Sequence, residues 1–145
     1  MPSKVWECLY VGSDPTAKSI AAGRFDVVIF VAAERAHKGE TFPDVEVFRF
    51  GIKDDPHLPL THAEIARAAS AALTAATSAA DGKRVLVCCQ SGLDRSPFVA
   101  AFALQRAGID PETAIATVKE KRPGSLVQNP RLEGLLRHVV GNDAG

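Results

Sequence analysis

The sequence predicts an α/β domain in which helices cover a sheet, and three observations lead there. Short apolar, β-branched runs lie at 5–11, 26–31, 45–50 and 84–88. Helical stretches with recognisable caps separate several of them, and helices alone finish the chain. The 145 residues are 46% hydrophobic, without an internal repeat, a low-complexity linker or a break in composition. Residues 1–145 therefore read as a single domain, able to bury roughly two-thirds of its unfolded surface without a disulfide or metal staple.

Taken in order, Val5–Val11 is apolar with an aromatic and stops at Gly12, which reads as an opening strand. Asp14-Pro15 supplies an N-cap followed by Pro at the first helical position, opening a short helix to about Ala22. Asp26–Val31 (DVVIFV) suits a buried strand, and Val45–Phe50 reads as another. Thr61 and Glu64 form a T-x-x-E capping box for a long helix to Ala80, closed by Asp81-Gly82. Arg84–Cys88 (RVLVC) is almost continuously hydrophobic, so its strand is predicted to be central. Pro97–Ala107 is apolar nearly all round, which predicts a buried helix. Asp110-Pro111-Glu112 begins a further helix with Ile115 and Val118 facing inward. Asn129-Pro130 begins the last, with Leu132, Leu135, Leu136 and Val139 at helical spacing.

Seventeen Lys and Arg balance seventeen Asp and Glu, so no net charge draws the chain toward nucleic acid or an anionic membrane. Cys8, Cys88 and Cys89 are too few, and odd in number, for a secreted disulfide framework. No signal-peptide pattern or membrane-length apolar run is present, and a cytoplasmic location is expected. Nothing in the sequence specifies an oligomeric state.

The chemistry concentrates in 85–96, VLVCCQSGLDRS, where Cys89 and Arg95 form a C-x5-R spacing. A cysteine at the end of a buried strand, followed by a loop that enters a helix N-terminus, faces a ring of backbone N–H groups. Gly92 in mid-loop allows a backbone conformation closed to other residues. The field of such a loop favours a thiolate, the nucleophilic form of cysteine. Arg95 can fork two hydrogen bonds onto a tetrahedral oxyanion. Nucleophile, amide cradle and guanidinium then converge on one phosphate-sized hole, the arrangement for phosphoryl transfer through a phospho-cysteine. Gln90, Ser91, Gly92, Leu93 and Asp94 would line the cradle. Ser96 would hydrogen-bond the sulfur as the intermediate breaks down, a role compatible with capping the helix. A general acid for the leaving oxygen should come from outside the cradle. The segment 51–60 (GIKDDPHLPL) offers the adjacent Asp54 and Asp55.

These residues resemble a dual-specificity protein phosphatase of the cysteine-dependent class, nearly end to end. Leu9–Ser13 resembles that family's L-Y-x-G-S strand, and 50–54 resembles the strand leading into its acid loop. Val85–Ser96 resembles its signature V-L-V-H-C-x-x-G-x-x-R-S. Pro97–Leu104 resembles the core helix that follows, while Arg122-Pro123 and Asn129-Pro130 fit its R-P…P-N region loosely. The resemblance implies a central sheet of about five mostly parallel strands flanked by helices. It also implies hydrolysis of phosphotyrosine, phosphoserine and phosphothreonine monoesters without metal or cofactor. The partner is then a phosphorylated protein or a small phosphomonoester. Aligning Leu60 with the family's apolar helix-start residue places the acid on Asp54, with Asp55 second.

Two positions depart from the pattern. The family usually has His where Cys88 stands, a residue thought to brace the loop, so a phosphate-binding module with weakened catalysis is one alternative. Asp94-Arg95 resembles the pairing in phosphoinositide phosphatases such as myotubularins and Sac-domain enzymes, which makes a lipid or other small-molecule phosphate another.

Outside the signature, His57 and His62 match no familiar metal-ligand spacing, and no metal is expected. Cys8 reads as core packing, and Lys119, Lys121 and Arg122 read as a solvated helix end. Arg35, His37 and Lys38 follow a strand, where they are candidates for substrate contact at the pocket mouth.

Overall fold

The computed structural model describes residues 2–33, 42, 44–53, 55 and 58–137. Among them a five-stranded sheet runs in the order β1-β2-β5-β3-β4. Its strands are β1 (Ser3–Trp6), β2 (Leu9–Gly12), β3 (Val27–Ala32), β4 (Glu46–Ile52) and β5 (Val85–Cys88). The first pair is antiparallel and every other pair is parallel, so the expected mostly parallel sheet is observed. The run at 5–11 is a hairpin rather than one strand, with Ser3 opposite Val11 and Trp6 opposite Leu9. Its turn passes through Glu7 at φ +40°, without the Gly, Asn or Pro that usually betrays a hairpin in sequence.

The helices are α1 (Ala17–Gly23), α2 (His62–Ala80), α3 (Arg95–Arg106), α4 (Pro111–Lys121) and α5 (Pro130–Leu135). α1 begins later than Asp14-Pro15 suggests. Thr16 is its N-cap, because Thr16 and Ser19 cap each other's backbone N–H groups reciprocally. The capping boxes and caps expected at Thr61 and Asp110 are present. Asn129 precedes α5 without capping it through its side chain.

Alternation along the strands divides the core in two. Val27, Ile29, Val85, Val87 and Cys89 join the larger cluster, together with helices α2 to α5. The buried stripe of α2 is Ala68, Ala71, Ala72, Ala75 and Ala79, small residues that let the helix lie close to its neighbours. α3 is buried from Arg95 to Gln105, with Phe98 and Phe102 among the largest enclosed side chains. Full burial of each ring stabilises the fold by roughly 1.5–3 kcal/mol. The other face holds a smaller cluster of Ile20, Phe25, Val28, Phe30, Leu86 and Cys88. β5 sits between β2 and β3, as its continuous hydrophobicity predicts, and it delivers its C-terminal end to α3 over one short loop.

Candidate active site

Cys88 and Cys89 end the central strand and point to opposite faces of the sheet. Cys88 is fully buried in the smaller cluster, its Sγ donating to the Ile29 carbonyl at 3.6 Å. Cys89 belongs to the larger cluster and continues the ladder, with its N–H donating to Gly12 O at 3.2 Å. Its sulfur is ringed by polar groups. Gly92 N lies at 3.2 Å, Ser96 N at 3.4 Å and Ser96 Oγ at 3.2 Å. Ser96 lies inside the first turn of α3, where its hydroxyl meets the sulfur and the Gly12 carbonyl and does not cap the helix. The N-terminus of this 12-residue helix adds its partial positive charge at the loop.

The loop's curvature depends on Gly92, at φ +74°. A Cβ there would sit 2.6 Å from Arg122 Nη2 and 2.8 Å from both Gly12 C and Ser13 N. β2 and Arg122 thus press directly against the loop. Arg122 Nε donates to Gly92 O at 2.6 Å, and Nη1 reaches Ser3 Oγ at 3.0 Å and Val11 O at 3.3 Å. Burial weakens the hold of Arg122 on its proton, and the nearby Cys89 sulfur partly opposes that. Leu93 O accepts from Leu126 N at 2.7 Å. Gln90 and Ser91 are exposed at the crest, and Ser91 Oγ accepts from Leu93 N at 3.2 Å. Asp94 is buried rather than displayed at the mouth. Arg95 is also buried, with Nη1 donating to Ile52 O at 2.9 Å.

That bond ties the loop to the end of β4, where segment 51–61 begins. Glu64 closes the segment at both ends: Oε2 accepts Lys53 N at 2.8 Å, and Oε1 accepts Thr61 N at 3.0 Å. Arg67 Nε adds a bond to Gly51 O at 2.7 Å. Burial pushes the Glu64 carboxyl up, but hydrogen bonds from Thr61 and Lys53 and the charge of Arg67 outweigh it and leave Glu64 below its ordinary value. Asp54 and His57 lie outside the described residues, as do Arg35, His37 and Lys38. Asp55 is half-buried, and its carbonyl accepts Leu58 N at 3.2 Å. His62 is exposed on the first turn of α2.

The structure therefore brings Gly92 and Ser96 against the Cys89 sulfur, sets Arg95 against Ile52 O, and adds residues that the sequence reading missed. Arg122 is no solvated helix end: Pro123 stops α4 and its side chain folds back under the loop. Glu64 is more than a helix cap, since its second oxygen holds Lys53. Among the described residues no group of three His, Cys, Asp or Glu is placed to hold a metal ion, and no helix is long and apolar enough to cross a membrane.

The structure is similar over 96% of its length to human DUSP28, covering 94% of that chain at 21% identity with a TM-score of 0.75. A human tyrosine phosphatase-like serine/threonine/tyrosine-interacting protein gives a TM-score of 0.79 at 17% identity, over 99% of this chain and 98% of that one. Tk-PTP in its active form gives 0.76 at 19% identity, over 97% and 96%. No curated protein sequence matches. The model of the dual specificity phosphatase catalytic domain matches residues 9–139, from β2 through the last helix, and so the chain belongs to that family of cysteine-based, metal-independent phosphatases.

Proposed function

We propose that this protein hydrolyses phosphotyrosine and phosphoserine or phosphothreonine monoesters of proteins through a phosphorylated Cys89. The observation that carries the reading is the convergence of Gly92 N, Ser96 N and Ser96 Oγ on one buried sulfur at 3.2–3.4 Å. In this mechanism the Cys89 sulfur attacks phosphorus, and the bond from phosphorus to the ester oxygen breaks. Asp54 gives its proton to the departing oxygen. The amides of residues 90–95 and the Arg95 guanidinium hold the three remaining oxygens as charge develops on them. Asp54, now a carboxylate, takes a proton from water as that water attacks phosphorus. The S–P bond breaks, Ser96 Oγ supports the departing sulfur, and inorganic phosphate leaves.

Two features favour a protein monoester over a phosphoinositide. A headgroup with several phosphates needs several cations, yet the cradle positions Gln90, Ser91 and Leu93 supply none. Asp94, whose pairing with Arg95 suggested a lipid substrate, is buried away from solvent.

The test is hydrolysis of an aryl phosphate with and without EDTA, comparing wild type with Cys89→Ser. We expect chelator-resistant turnover that the substitution abolishes, a loss of roughly 10⁴-fold or more. Equal rates in the two proteins, or loss of activity with EDTA, would overturn the mechanism. Phosphopeptides and phosphoinositides assayed side by side decide the substrate class. Tight phosphopeptide binding without turnover would identify a binding module.

A further inference from the structure

The carbonyl oxygens of Gly92 and Leu93 are both captured from outside the loop, and by the same turn. Arg122 Nε donates to Gly92 O at 2.6 Å, and Leu126 N donates to Leu93 O at 2.7 Å. The turn is itself well fixed. Arg122 N–H closes α4 on Val118 O at 2.9 Å, Pro123 stops the helix, and Gly124 and Leu126 adopt φ +91° and +65°. Ser125, fully buried, returns its hydroxyl to Arg122 O at 2.6 Å.

A trans peptide is planar, so the carbonyl of one residue and the N–H of the next point in opposite directions. Drawing the Gly92 and Leu93 carbonyls toward the turn therefore sends the N–H groups of Leu93 and Asp94 the other way, away from the turn, where the Leu93 N–H meets Ser91 Oγ at 3.2 Å. An anion cradle works only if its N–H groups face inward before the anion arrives. Here a guanidinium 30 residues away in sequence fixes the Gly92 carbonyl. The same guanidinium is anchored from behind by Ser3 and Val11 of the opening hairpin.

We propose that Arg122 is a positioning residue for phosphate binding: by holding the Gly92 carbonyl outward it pre-sets the cradle amides, and it adds a second fixed positive charge behind the loop. This rests on Cys89–Ser96 being the phosphate site. A purely structural role, tying the opening hairpin to α4, would lower stability but leave anion affinity unchanged in the folded protein.

The experiment titrates orthophosphate into Cys89→Ser protein by calorimetry, so that binding is read without turnover, with Arg122 intact or replaced by Met or Lys. Thermal melts establish that each variant is folded at the temperature of titration. Arg122→Met should weaken orthophosphate binding roughly tenfold, the size of a lost charge-assisted contact. Arg122→Lys should recover only part of that loss, because an ammonium restores charge but not the fork that reaches Gly92 and the hairpin together. Unchanged affinity in Arg122→Met, at any melting temperature, overturns the proposal. So does full recovery in Arg122→Lys, which would leave charge alone as the cause. If Arg122→Met does not fold, Arg122→Lys and Ser3→Ala are read by the same rule, and wild-type affinity in both overturns it. Failure of the phosphate-site reading looks different: the Cys89→Ser protein with Arg122 intact would then bind no orthophosphate at all.

Discussion

Loop 89–96 and segment 51–61 are joined by the bond from Arg95 to Ile52 O, yet they are held by different means. The loop is pinned to other elements at several residues: Cys89 and Ser96 to Gly12, Gly92 and Leu93 to the turn after α4. Segment 51–61 is held at its two ends from α2, by Glu64 and Arg67, with the Leu58 N–H donating to Asp55 O between them. The division suits the chemistry proposed for each side. A cradle for a tetrahedral oxyanion must be rigid to be useful, because reorganisation at the moment of reaction would consume what it contributes. A general acid must instead reach the leaving oxygen from outside the cradle, which a segment anchored on a different helix permits.

The hardest way to break the comparison is to disturb the rigid side. Gly92→Ala would place a Cβ 2.6 Å from Arg122 Nη2 and 2.8 Å from the backbone of Gly12 and Ser13, at a φ that strains any side chain. The loop must move, and a shift of about 1 Å is enough to lose roughly 10²-fold in rate. We expect orthophosphate affinity and kcat/KM on an aryl phosphate to fall together by at least that factor, while the far-ultraviolet circular dichroism is retained. A substitution that spares orthophosphate affinity would mean that the loop is less constrained than its contacts imply.

Disturbing the other side should separate binding from proton transfer. Asp54→Asn should lower turnover of alkyl phosphates such as phosphoserine by roughly 10²-fold or more. It should affect p-nitrophenyl phosphate far less, because that oxygen leaves without needing a full proton. Orthophosphate affinity should stay near wild type. If Asp55→Asn shows this leaving-group signature instead, Asp55 is the acid.

A smaller effect is expected at the tether. In Glu64→Gln one oxygen still accepts an N–H, but the other position becomes an NH₂ facing the donor of Lys53 or Thr61. Stability should fall by about 1–3 kcal/mol, the penalty for an unsatisfied buried donor. Alkyl phosphate turnover should drop several-fold while aryl phosphate turnover holds. The pH dependence carries its own sign. Because Glu64 lies below its ordinary value when folded, its share of stability is complete above the unfolded carboxyl value and is lost as pH falls through the folded one. The Glu64→Gln melting temperature should therefore decline less steeply than wild type on acidification below about pH 5.

The two sides also differ in how much of them a sequence displays. The Cys89 sulfur meets Gly92 and Ser96, both within seven residues of it, so strand, glycine, arginine and serine form one readable pattern. The T-x-x-E box and the apolar helix α3 were legible for the same reason, since each is a local rule. Arg122 was not, because its contacts lie 30, 111 and 119 residues away. A basic residue before Pro looks alike whether it is solvated or folded back beneath a loop. The Glu64 bond to Lys53 spans 11 residues and hides behind a correct but incomplete reading as a cap. The opening hairpin was missed for want of a turn residue at Glu7, and the start of α1 because Thr16 and Ser19 outcompete Asp14 and Pro15 as a capping pair.

The mildest test asks whether the rigid side draws any support from the opposite face of the sheet. Where the family usually has His, Cys88 packs among Ile20, Phe25, Val28, Phe30 and Leu86, with its thiol on the Ile29 carbonyl. Its side chain faces away from the cradle, and the loop's positions are accounted for by Gly12, Arg122 and Leu126. Cys88→Ala should then act as an ordinary core truncation, lowering stability by about 1 kcal/mol through a small cavity. It should leave orthophosphate affinity and kcat/KM within about twofold of wild type, since the lost atoms lie across the sheet from the reacting sulfur. A tenfold fall in kcat/KM in a protein that still melts cooperatively would show support for the cradle passing through residue 88. The fixing of the loop would then depend on both faces of the central strand.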